Sequence, residues 1–253
     1  MNSTRIISTV LFFALGFLWE GWVTFSNVSS LLLPAPSAVL SMLWQGLYDG
    51  FLWPHIKATA TATLLGFALG TSVGFAIGVA LGEVEPLRRV LWPYVLASQV
   101  IPKLALGPIF IVWFGFGLTS IVVITALICF FPLLENTVTG LRSAPRDQRD
   151  LFRMLGASRL QTLRRLKIPA GLPLILSGVR IAIVLALVGA VVGEFITGGK
   201  GLGASIIAAQ SMMDSTLMFA LFTAITVMGL LFYQLTIFAE RWLLCGRQTG
   251  DKL

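Results

Sequence analysis

An all-α, polytopic membrane bundle of about six spans is the fold class predicted by three features of this 253-residue sequence. First, 57% of the residues are hydrophobic, a further 25 are glycine, and only 11% are charged. A soluble domain averages about 45–50% apolar with glycine included and about 25% charged, so this chain lacks the polar side chains to cover a water-facing surface. Second, the apolar residues gather in runs of about 20 residues, the length a helix needs to cross a bilayer. Third, the formal charge of +7 is unevenly placed along the chain. Composition therefore excludes an ordinary soluble enzyme, a disordered chain and a disulfide-stapled secreted domain. Two cysteines, Cys129 and Cys245, and one histidine, His55, give no metal-ligand spacing.

Six runs are read as spans: Ile6–Phe25, Thr59–Leu81, Val90–Phe114, Ser120–Thr139, Ala170–Ile196 and Thr216–Ala239. The first resembles a signal peptide in having Arg5 before an apolar run. No small-residue cleavage site follows, however; Trp19-Glu20-Gly21-Trp22 follows, so a retained span is expected. The connector Ser29–Ser37 leads into Ala38–Tyr48, a half-apolar segment of helical period. It reads equally as a helix at the outer interface or as a packed connector. The third run contains Pro93, Pro102 and Pro108 and is expected to be kinked or discontinuous.

With the N-terminus inside, Arg5, Arg88, Arg89, Arg241, Arg247, Lys252 and the whole loop after the fourth span are cytoplasmic. That places 14 of the 18 basic residues on one side, leaving Lys57 and Lys200 on the other and Lys103 and Arg180 in spans. Both termini are therefore expected in the cytoplasm, and positive-inside topology accounts for the basicity without nucleic acid as a partner.

The second span carries Gly66, Gly70, Gly74, Gly78 and Gly82, one every four residues. At 100° per residue this spacing makes a slowly winding stripe. Lipid supplies no hydrophobic drive for helix association, so small residues that let backbones approach take that role. The stripe is expected to face another helix of the bundle.

The loop Ser143–Pro169 reads SAPRDQRDLFRMLGASRLQTLRRLKIP. Pro145 suits a helix start, Gly156 a left-handed helix end, and Ser158 the cap of a second helix. Leu160, Leu163 and Leu166 recur every three residues, and the second helix is expected to stop before Pro169. Each helix is near or below the length at which an isolated helix is even marginal in water, so its apolar side needs a cover. Anionic lipid and a cytoplasmic docking partner both satisfy that need.

This loop resembles the coupling motif of ABC-importer permeases: EAA, three residues, Gly, nine residues, Ile-x-Leu-Pro. Asp150-Leu151-Phe152 stands at the EAA positions. Gly156 is the motif glycine within Leu155-Gly156-Ala157-Ser158, and Leu166-Lys167-Ile168-Pro169 matches the end. The first third departs from the pattern, since Asp replaces Glu and bulky residues replace both alanines. Leu33-Pro34-Ala35-Pro36, Ile101-Pro102, Pro108–Gly117, Phe130-Phe131-Pro132, Asn136-Thr137-x-x-Gly140, Pro169–Arg180 and Gly193-Glu194…Gly201-Leu202-Gly203 resemble the branch of nitrate, sulfonate, taurine and bicarbonate permeases. Gly189–Phe195 leans toward carriers of pyrimidine-type vitamin precursors.

The resemblance implies a type I ABC-importer permease architecture, with residues 1–253 as one transmembrane domain and 142–169 as its cytoplasmic coupling loop. It implies a bacterial inner-membrane homodimer. Two ATPase subunits would grip Asp150, Leu151, Phe152, Leu155, Gly156, Ala157, Ser158, Leu166, Ile168 and Pro169, and an extracytoplasmic binding protein would deliver the solute. ATP and Mg would be bound by the ATPase, with no cofactor in this chain.

Gly198–Gly203 is no Walker A loop. Gly201 stands where Ser or Thr should follow Lys200, and Glu194 where the first Gly should stand. A glycine-rich turn on the outer side is expected. Intramembrane charges usually face a bundle interior or water. Glu194 is expected to line the outer gate, to pair within the bundle or to sit at the interface. Lys103, beside Pro102, suits an anionic solute; Trp113 and Phe114 suit a neutral heterocycle. Glu135 and Arg180 are expected near the cytoplasmic interface. The alternative to a permease is a stand-alone ion-coupled carrier or channel; an intramembrane enzyme lacks any carboxylate pair, metal motif or activated nucleophile.

Overall fold

The computed structural model describes residues 2–26 and 29–244, so Cys245, Arg247 and Lys252 lie outside them. All regular structure among the described residues is helical. The elements are α1 (Asn2–Phe25), α2 (Pro36–Tyr48), α3 (Leu52–Glu83), α4 (Glu85–Val100), α5 (Gly107–Phe114), α6 (Leu118–Arg142), α7 (Arg146–Met154), α8 (Arg159–Thr162), α9 (Ile168–Thr197), α10 (Leu202–Ser211) and α11 (Ser215–Leu244). Helices α3, α6, the stretch from α8 through α9, and α11 are each long and apolar enough to cross a membrane. The pair α4 and α5 passes that test together, bent by 83°. Among the described residues this makes four spans, or five with the bent pair counted as one, and the 24-residue α1 precedes them.

The break in the third span lies at Pro102, not at every proline. Pro93 is carried inside α4, while Pro108 sits in the first turn of α5, where a missing N–H is harmless. A single 3-10 turn, Lys103–Leu106, joins the two halves. Helix α2 packs its buried Val39 side inward and lies along α11, with Leu43 and Leu47 against the cluster of Leu52, Leu202, Leu221 and Met228. Trp44 and Tyr48 remain exposed on its other face.

The centre of the molecule is α6, flanked by α3 and α9. Gly66, Gly70, Gly74 and Gly78 are buried, and Gly82 is partly so. A Cβ built on Gly66 would strike Thr125, on Gly70 the Ala126 carbonyl and Cys129, on Gly74 the Phe130 carbonyl, on Gly78 Thr137, and on Gly82 Leu141. All six of these partners lie on α6. An adjacent side of α6 meets a second set, on α9: Gly171 lies against the Gly140 backbone, Gly178 against Asn136 and Pro132, Gly189 against Thr125 and Ile128, and Gly193 against Ile121. Backbone approach this close gains dispersion and leaves no room for lipid.

Pro132 inside α6 has no N–H to give. Its own carbonyl is taken by Asn136 Nδ2 at 2.8 Å. Arg180 pairs with Glu240 at 3.2 Å and ties α9 to α11, so this intramembrane charge is met by its opposite.

Candidate functional site

The loop after α6 is built from local signals. Pro145, in extended conformation, is the N-cap of α7, one position ahead of the first turn. Helix α7 ends in a Schellman arrangement: Ala157 N–H donates to the Phe152 carbonyl and Gly156 N–H to that of Arg153, both at 3.0 Å. Gly156 sits at φ +67°, a left-handed conformation that a β-branched residue resists. Ser158 then opens α8 with a reciprocal capping box. Its hydroxyl accepts from the Gln161 N–H at 3.2 Å, and Gln161 Oε1 accepts from the Ser158 N–H at 2.8 Å.

The second helix does not stop before Pro169, contrary to the sequence expectation. Helix α8 passes into a π turn, Leu163–Lys167, and this continues into α9 as one helix from Arg159 to Thr197. The wider π turn gives the Pro169 ring space against the preceding carbonyls, and Pro169 falls in the first turn of α9. The motif residues thus divide. Leu166 is buried and Ile168 partly buried at the root of the loop. Phe152 and Ala157 are half-buried. Leu151 and Leu160 are exposed, and Met154 and Leu155 at the tip are 85% and 73% exposed. Asp150 and Ser158 are also exposed.

Ion pairs fasten the loop to the rest of the chain. Lys167 meets Glu83 at the end of α3 at 2.7 Å, with both side chains largely covered. Glu85 at the start of α4 receives Arg142 at 2.6 Å, Arg88 at 2.7 Å and Arg89 at 3.2 Å. Those four residues are 57 positions apart at the extremes, and nothing in the local sequence pairs Arg142 with Glu85.

At the other end of α9, Glu194 is 1% exposed. Its Oε2 accepts from Thr59 Oγ1 at 3.0 Å and from the Gly203 N–H at 2.8 Å. Thr59 Oγ1 in turn accepts the Leu202 N–H at 2.8 Å. His55 Nδ1 lies 3.2 Å from the Gly201 nitrogen and 2.9 Å from Ser205 Oγ. The glycine run is therefore a cover for a carboxylate. A Cβ on Gly201 or Gly203 would strike the Glu194 side chain, and Gly201 holds φ +148°. Glu194 anchors the first turn of α10, where a negative group suits the helix end. His55, Thr59 and Ser205 were not legible as its neighbours, because 135 residues separate Thr59 from Glu194.

Lys103, Trp113 and Phe114 lie apart from that cluster. Lys103 Nζ donates to Gln99 Oε1 at 2.6 Å and stands 6.0 Å from the Phe130 ring centre. Trp113 and Phe114, stacked edge-on, are both exposed on α5 beside exposed Val112 and Phe116. No group of three or more metal-ligating side chains occurs among the described residues.

Known proteins agree with this architecture. The sequence pattern described as binding-protein-dependent transport system inner membrane component matches residues 70–244. The riboflavin transport system permease protein RibX of Chloroflexus aurantiacus is 44% identical over 225 residues, 89% of this chain and 84% of that one. The formylaminopyrimidine transport permease protein ThiX of Halalkalibacterium halodurans is 34% identical and covers 88% of each chain. The taurine transport system permease protein TauC of Escherichia coli is 30% identical over 85% of this chain and 80% of its own. The inward-facing MetNI methionine ABC transporter shares the fold at a TM-score of 0.66 and 19% identity, over 75% of this chain and 94% of that chain. This chain belongs to the binding-protein-dependent transport system inner membrane component family and is a permease subunit of an ABC importer.

Proposed function

We propose that two copies of this chain form the solute path of an importer driven by two separate ATPase subunits, which bind ATP and Mg. Residues 1–253 act as one permease domain in the bacterial inner membrane, with both termini and the loop 142–169 in the cytoplasm. An extracytoplasmic binding protein hands over the solute. The observation that carries this reading is the uncovered apolar tip of the loop. Leu151, Met154, Leu155 and Leu160 are exposed at the end of two short, firmly capped helices. Apolar groups held out in this way need a partner surface. The caps make the tip stiff enough to pass movement on, and the π turn joins it without interruption to α9. ATP closure of the ATPase pair would thereby switch access from one side to the other.

The solute path is assigned to the broken span, with Lys103, Trp113 and Phe114 along it. Glu194 serves that path by holding α10 in place. The cargo is assigned to heteroaromatic vitamins or their precursors, because the riboflavin permease is 44% identical and the taurine permease 30%.

Copurification tests the assembly. The ATPase encoded with this chain should be retained by the wild type and lost when Met154 and Leu155 are both replaced by Asp. Solute transport by the lone chain in liposomes without ATP would overturn the reading in favour of an ion-coupled carrier. Uptake of labelled riboflavin or formylaminopyrimidine, competed poorly by taurine, checks the cargo; the reverse order of competition would restore the sulfonate class.

A further inference from the structure

The apolar tip leaves the arginines of the same loop without a task. Arg146, Arg149, Asp150 and Arg153 recur at helical spacing and share one side of α7. Facing them are Arg159 and Thr162 of α8, with Glu83 and Lys167 behind. Together they line an open cleft of about 600 Å³. It holds five cations against two carboxylates, and both carboxylates are engaged. Glu83 pairs with Lys167 at 2.7 Å, and Asp150 lies 3.7 Å from Arg153. Arg146, Arg149 and Arg159 have no carboxylate within ion-pair distance among the described residues. A cluster of unneutralised guanidiniums around a concavity repels itself unless an anion fills it.

The back of the cleft fixes its height. Glu83 is the last residue of α3, and Lys167 directly precedes α9. Both lie two or three residues beyond the apolar runs Thr59–Leu81 and Ala170–Ile196 read as spans, close to the level of lipid phosphates where those runs cross a bilayer. Guanidinium forks match phosphate oxygens in shape and charge, and basic pockets at the cytoplasmic ends of spans suit anionic headgroups.

We propose that this cleft binds the phosphate headgroup of an anionic phospholipid of the cytoplasmic leaflet, held by Arg146, Arg149 and Arg159. The assignment rests on the proposed cytoplasmic placement of the loop, and not on the docking of an ATPase. The lipid would wedge the basic side of α7 against the membrane while the apolar side stays free.

The test uses the intact importer, purified from membranes, exchanged into mixed phosphatidylcholine and phosphatidylglycerol, and washed in detergent before native mass spectrometry. Wild type should retain phosphatidylglycerol in preference to phosphatidylcholine. Arg149→Gln with Arg159→Gln should weaken retention by about tenfold for each charge-assisted hydrogen bond removed. Arg164→Gln with Arg165→Gln removes the same charge outside the cleft and should retain the lipid. Equal loss in both pairs, or equal retention in all three proteins, overturns the proposal.

Two further arms separate other occupants. Inorganic phosphate or pyrophosphate protecting α7 and α8 from hydrogen exchange in phosphatidylcholine discs as fully as phosphatidylglycerol does would assign a soluble ligand and overturn the lipid. Lipid that binds only after the ATPase is stripped away would mean that acidic groups of the partner fill the cleft, and would overturn it also. Loss of ATPase docking with lipid retention intact would defeat the functional reading alone, so the two fail separately.

Discussion

The trio α3, α6 and α9 and the loop between residues 142 and 169 are both helical, but they are specified by opposite means. In the trio, the deciding residues are those with no side chain. Gly74 and Gly171 let backbones touch, and their effect is felt on a different helix, far away in sequence. In the loop, the deciding residues act on their own neighbours. Gly156 and Ser158 settle the ends of α7 and α8 through hydrogen bonds spanning at most five positions. Packing without caps gives a region that tolerates little added volume. Caps without packing give a region whose shape survives exposure and whose side chains remain free to meet something else.

Four substitutions probe that contrast, in falling order of effect. Gly74→Leu should be the most damaging, since its Cβ would already strike the Phe130 carbonyl. Overpacking of this kind should cost about 3 kcal/mol or more. Thermal aggregation in detergent would report it, with Gly16→Leu as the harmless control because nothing lies within 4 Å of that position. A Gly74→Leu protein as stable as wild type would break the comparison.

Glu194→Leu should cost about 2 kcal/mol, because Thr59 Oγ1 and the Gly203 N–H lose a buried acceptor. Faster hydrogen exchange confined to α10 would be its signature. Glu194→Gln keeps one acceptor oxygen and should lose less. Transport unaltered in the Gln variant would take the charge out of the transport step and leave only the anchor.

Gly156→Val should cost about 1–2 kcal/mol, the strain of a left-handed β-branched residue. The cost is local, so the unfolding temperature of the bundle should hold while ATPase retention falls. An equal fall in both would show that loop and trio are one cooperative unit. Ser158→Ala should be the mildest, at about 1 kcal/mol for a lost cap. Faster amide exchange over Arg159–Gln161 checks it, with no shift in bundle stability expected.

The same contrast explains what the sequence revealed. The caps of the loop were legible because capping is written within a few residues, as in Ser158 and Gln161. The α3 stripe was legible because its period is regular. The matching set on α9, at 171, 178, 189 and 193, escaped notice because its unequal intervals keep one helical face without a repeating step. Proline misled in one place. Pro169 reads as a terminus by local rules, yet a π turn carries the helix past it. Glu194 was visible as an unusual charge, but its partners Thr59 and Gly203 come from elements that only the tertiary fold brings together. The bend of 83° after Val100 was legible as a break and not as an angle, since proline marks where a helix ends and not where the chain goes next.

The uninterrupted helix from Arg159 to Thr197 has a mechanical consequence. Its 39 residues span roughly 58 Å at about 1.5 Å each. Pivoting about the glycine contacts with α6, such a lever turns a tilt of about 5° into roughly 5 Å of sweep from one end to the other. A push at the base of the loop is therefore carried along one continuous helix to the turn that covers Glu194.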